Sequence, residues 1–257
     1  MSCPKIRTDG TFPAETRKDY ESVAHSLRKV IDDTFCHGSP PLSLPIVCRL
    51  GIPPRAALDS WSTPREFLID VNVEAQIRPY SQFAFQLAHE VGHCYAGVYR
   101  SNFRIETVVT ALSLDALSRL TRRWKSNPPH HHWLDYAPRF QEYRTAHEDA
   151  CLAKCPAEIR EAAVAHRWDI VMQEIGHTVG PMDTSKDDLE SEHGRALQTV
   201  AAMALLSQTV VSWSQFIGIE QCTVPGPGVS PTFSYAPFDS NLFRAKAPSL
   251  LWLTGPG

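Results

Sequence analysis

Two histidines stand four residues apart, with a glutamate beside the first, in His89-Glu90-Val91-Gly92-His93. On a helix advancing about 100° per residue, the two imidazoles project about 40° apart, one turn above the other, and both reach a single ion. Glu90 then sits where a carboxylate takes a proton from a water activated by the metal without itself being a ligand. Amide hydrolysis needs this division of labour. Zn²⁺ lowers the pKa of water and polarises the carbonyl, while the carboxylate carries the proton to the leaving amine.

A catalytic zinc usually takes three protein ligands and a water. The extended metzincin pattern is absent, since it would require glycine and histidine where Ala96 and Tyr99 stand. Glu106, in "NFRIETVVTALS", falls in the first turn of the next predicted helix, and a short connection folding that helix back would aim its carboxylate at the imidazoles. A glutamate there also suits the helix dipole. Glu142, Glu148, Asp149 and the run His130-His131-His132 are the alternative third ligands. A donor for the transition-state oxygen is sought among Tyr95, Tyr99, His130, His131, His132, Tyr136, Tyr143 and His147.

The positioning elements follow from periodicity. From Ser81 to about Tyr99 the pattern is helical, with Phe83, Leu87, Val91, Cys94 and Val98 on the side away from the histidines. The histidine face also carries Gln82, Gln86, Ala96, Gly97 and Arg100, an open surface suited to a cleft. A second helix is expected from about Arg104 to Trp124, capped by Asn102. Upstream, residues 15 to 36 form an amphipathic helix, and "LPIVCRL" and "EFLIDV" read as strands between proline-rich turns. Downstream of Asn127-Pro128-Pro129, helices are expected near 138 to 153, 157 to 177 and 186 to 217, the last capped from Ser185. The tail from Gln221 is rich in proline, glycine and aromatics and reads as an irregular strap. The fold class is α+β: one composite domain over 1–257, with a core at 15–125 and a helical extension at 126–257.

"FLIDVNVEAQIRPYSQFAFQLAHEVGHCYAG", followed by "IETVVTALSL", resembles the ImmA/IrrE-type metallopeptidases. The resemblance covers about residues 65 to 115. It implies a zincin-like domain with a small sheet beside the HExxH helix, zinc held by His89, His93 and Glu106, and Glu90 as general base. It also implies that the strand around Leu68 to Val73 lines the cleft, where an extended substrate could pair with it.

Composition narrows the class. The chain has 257 residues, 43% hydrophobic, and a net charge of −3, which provides a core and no electrostatic reason to bind nucleic acid. Seven dispersed cysteines read as mostly free thiols, with Cys151 and Cys155 partly buried and unconnected to a metal. The start "MSCPKIRTDG" has no apolar signal stretch, so the expected place is the cytoplasm, with non-classical export as the other route. Ala196 to Ile219 carries no charge, but its glutamines, serines and threonines argue for a buried helix over a membrane span. The leading expectation is a zinc metalloendopeptidase acting on a protein or peptide. The competing expectations are a catalytically silent zinc-binding regulatory or interaction protein of the same fold, and a metal-free helical scaffold.

Overall fold

The computed structural model describes residues 6–35, 44–59, 65–98, 100–179, 186–208, 213–217 and 234–235. It is mostly helical with a small mixed sheet, as an α+β chain should be. By contact density the chain sorts into two compact units, one of residues 1–95 with 112–145, the other of 96–111 with 146–257.

The first unit begins with β1 (Ile6–Thr8) and α1 (Ala14–Phe35), followed by β2 (Ile46–Leu50), β3 (Arg55–Asp59) and β4 (Glu66–Val71). The sheet order is β1-β2-β4-β3; β1, β2 and β4 run parallel, and β3 pairs antiparallel to β4. Asp70 lies opposite both Arg49 and Arg55 in the register, and both guanidiniums bond its carboxylate, Arg55 at 2.7 Å. A buried charge held by two cations ties three strands together at one level. Gly51 is required beside it, since a Cβ there would stand 2.9 Å from the Asp70 carboxylate.

Next comes α2 (Tyr80–Ala96), which buries Phe83, Leu87 and Val91 completely, as their spacing predicts. Gly97, at φ 127°, follows its end in a conformation that side chains resist. After β5 (Arg100–Ser101) comes α3 (Phe103–Trp124). Asn102 caps α3 as expected: its Oδ1 accepts from the Arg104 and Ile105 amides at 3.0 Å each. At the far end of α3, Trp124 stacks on Trp133 and meets Phe140 edge-on, within an aromatic cluster that includes Tyr80 and Tyr136. A 3-10 turn (His131–Tyr136) leads into α4 (Ala137–Leu152).

The second unit has its own core, in which Ile159, Val171, Ile175, Leu197 and Val200 are buried. The helix expected over 157 to 177 is two, α5 (Ala157–Val164) and α6 (Trp168–Val179). His166 turns the chain at φ 54°, a conformation uncommon outside glycine. The helix expected over 186 to 217 is likewise split, into α7 (Lys186–Glu190), α8 (Glu192–Gln208) and a 3-10 turn at Trp213–Phe216. Ser191 caps α8 by accepting the Gly194 amide at 2.9 Å. Gly194 admits no side chain, because a Cβ would fall 2.1 Å from the Asp188 carbonyl. The expected cap at Ser185 lies outside the described residues, as does the tail from Gln221 apart from β6 (Ser234–Tyr235), which pairs parallel to β5. Among the described residues, no helix is long and apolar enough to cross a membrane.

Candidate metal centre

The stripe of α2 that bears the histidines is anchored before it reaches them. Gln86 pairs with Asn72, the residue after β4, accepting its amide at 2.7 Å and donating to its carbonyl at 3.0 Å. Gln82, one turn earlier, donates to the same carbonyl at 3.2 Å. Spacings of four, three and four put Gln82, Gln86, His89 and His93 in one row, so the sheet end fixes the rotation of the helix that presents the imidazoles. This face is less open than expected: Ala96 and His93 are buried, and Gln82, Gln86 and His89 are half-buried.

The imidazoles of His89 and His93 lie with ring centroids 5.0 Å apart. The first turn of α3 adds Glu106, and one donor atom from each of His89, His93 and Glu106 falls within 4.8 Å of the others. Donors sharing a tetrahedral zinc at bonds of about 2.0–2.2 Å stand about 3.4 Å apart, closer than the 4.8 Å that bounds this set. Two imidazoles and a carboxylate match zinc in ligand type. In residue type the three could hold such an ion.

Glu106 is held from two directions. Its amide donates to the Asn102 carbonyl at 3.0 Å, continuing the cap, and its Oε1 accepts a short hydrogen bond from the Ser101 hydroxyl. Ser101 is fully buried, Glu106 is 9% exposed, and Glu90 is 6% exposed. Burial, followed by the charge of Glu90, lifts the Cys94 thiol well above its ordinary pKa. Cys48 rises as well, through burial and then the charges of Asp9, Asp70 and Glu90. Neither thiol is thus poised as a thiolate ligand or nucleophile.

The other candidates lie elsewhere. Glu142 pairs with Arg139 at 2.8 Å, and His130 reaches Ser22 at 3.3 Å and packs edge-on to Trp133. The described cluster of metal-binding side chains includes neither of these, nor Glu148, Asp149, His131 or His132. Among the tyrosines and histidines considered as transition-state donors, Tyr95 is stacked flat on Phe35 and Tyr136 bonds Ser81. Tyr143 packs near Phe85, His147 lies near Cys151 and Thr199, and Tyr99 lies outside the described residues. Sequence reasoning missed Ser101, whose only signal is its place beside a helix cap. It also took Gln82 and Gln86 for open surface, although their row with the histidines was visible.

One expectation about the cleft is corrected. β4 is bonded along its length to β2 on one side and β3 on the other, so no substrate strand can pair with it. Of the stretch from Leu68 to Val73, residues up to Val71 belong to an interior strand, and Asn72 just beyond it meets the α2 anchor.

No protein-family model, curated protein or solved structure matches the chain.

Proposed function

We propose that the chain is a zinc-dependent metallopeptidase of zincin-like fold, hydrolysing peptide bonds of a protein or peptide substrate. What carries the reading is the convergence of His89, His93 and Glu106 to within 4.8 Å, with Glu90 on the same helix as the imidazoles. The three converging residues hold the ion. When bound, zinc supplies Lewis acidity, lowering the pKa of water and polarising the scissile carbonyl. Glu90 takes the proton of the attacking water and returns it to the leaving nitrogen. Gln86 and Gln82 hold the helix that presents the imidazoles, and Ser101 orients the Glu106 carboxylate. The cytoplasm is the compartment this reading favours, supported by free thiols at Cys48, Cys94, Cys151 and Cys155.

A second reading takes support from burial. Glu90, His93 and Glu106 are all under a tenth exposed, as in a closed, structural metal site. On that reading the chain binds zinc and regulates or recruits a partner without turnover. Reconstitution with zinc, followed by exposure to a peptide library and mass spectrometry of the products, separates the two. Near-stoichiometric zinc with cleavage that Glu90→Gln abolishes supports the peptidase. Zinc without cleavage supports the silent protein, and no zinc uptake overturns both.

A further inference from the structure

Away from its core, α1 carries a polar row. Lys18, Ser22, His25 and Lys29 follow at spacings of four, three and four and therefore share one face. Across from them stand Arg123, in the last turn of α3, and the segment Asn127-Pro128-Pro129-His130. Together they bound a cavity of about 770 Å³, within the range of small-molecule sites. Every wall belongs to the unit of residues 1–95 and 112–145.

The charges of this cavity do not cancel. Three cations, Lys18, Lys29 and Arg123, stand against two carboxylates, of which Asp19 also faces Arg78 at 3.7 Å and Glu21 accepts from Thr8 at 2.9 Å. Arg123 has a loose partner in Asp33, 3.8 Å away and 72% exposed, a pairing of little energetic weight. Lys18 and Lys29 form no ion pair among the described residues. The His25 imidazole faces Lys29 and Arg123, and its pKa is lowered first by lost solvation and then by those two charges.

The walls are also set in advance. Ser26 in the lining accepts from the Trp124 indole at 2.7 Å, and Ser22 and His130 meet at 3.3 Å. Pro128 and Pro129 restrict the facing segment, which lowers the ordering a ligand must impose there.

We propose that this cavity binds a small phosphorylated ligand, whose phosphate oxygens are met by Lys29 and Arg123, with Ser22, His25 and Asn127 as uncharged donors. A phosphate suits this set because it carries up to two charges and three acceptor oxygens, enough to engage several donors at once. The cavity lining shares no residue with the metal centre.

Calorimetric titration of the full chain with inorganic pyrophosphate tests it. The expected result is saturable binding, weakened at least about tenfold in both Lys29→Gln and Arg123→Gln and unchanged in His89→Ala. Several outcomes overturn the proposal: no saturation up to about 10 mM, binding unaltered in Lys29→Gln and Arg123→Gln, or binding lost in His89→Ala, which would move the ligand to the metal. Citrate competing as strongly as pyrophosphate would overturn the assignment to phosphate.

Discussion

Ser101 donates its hydroxyl proton to Glu106 Oε1 from a fully buried position five residues upstream. That bond orients the Glu106 carboxylate at the start of α3. Ser101→Ala is expected to weaken zinc binding about tenfold, the usual effect of losing a group that orients a ligand. Chelator competition on the wild-type and variant proteins measures it; unchanged affinity would leave Ser101 as packing alone.

Glu106→Ala goes further, removing the ligand itself, and zinc affinity should fall by much more than in Ser101→Ala. If Glu106 serves only the helix start, metal affinity is unchanged and the metal-free protein loses about 1 kcal/mol or less. Thermal unfolding of the apo forms beside the titration distinguishes these outcomes.

His89→Ala and His93→Ala should each abolish stoichiometric zinc, because one imidazole with one carboxylate holds the ion poorly. Elemental analysis of the purified variants reads this directly, and full occupancy in either would remove that histidine from the site.

Glu90→Gln should retain zinc while turnover disappears, since an amide cannot accept the proton of the attacking water. A variant that still cleaves a proven peptide substrate would take the base role away from Glu90.

Burial alone would raise the Asp70 carboxyl, but hydrogen bonds from Arg49 and Arg55, with their charges, outweigh it and hold the pKa below its ordinary 3.8. A group depressed in the folded state contributes stability that is complete above its unfolded value and lost as pH falls through the folded one. Unfolding free energy should therefore decline below about pH 4, and Asp70→Asn should flatten that decline while costing about 2 kcal/mol at neutral pH. Gly51→Ala, which presses on the same carboxylate, should cost about 1–3 kcal/mol. Urea titrations across pH read all three effects.

The sequence was most legible where a long period ran unbroken. The apolar row from Phe83 to Val98 located α2, and Asn102 located the start of α3, because each reports a local rule that packing did not override. β1 and β3 left no such trace: "IRT" is too short for alternation, and "RAALD" owes its strand state to pairing with β4. The break between α5 and α6 has no proline or glycine to announce it, and His166 accepts an unusual φ in its place. The start of α8 went unread, although Ser191, a capping serine with the small Gly194 three places on, stands there. The convergence of Glu106 on the imidazoles was beyond periodicity, since it depends on how a six-residue connection folds.

The contact between Trp124 and Trp133 has a spectroscopic consequence. Their rings lie 5.4 Å apart and 21° from parallel, with the Trp124 indole hydrogen-bonded to Ser26. Two indoles at that separation couple as oscillators and produce a split circular-dichroism band that exists only while α1, α3 and the turn after it stay assembled. The chain thus carries a built-in optical gauge of its first unit, readable without a label.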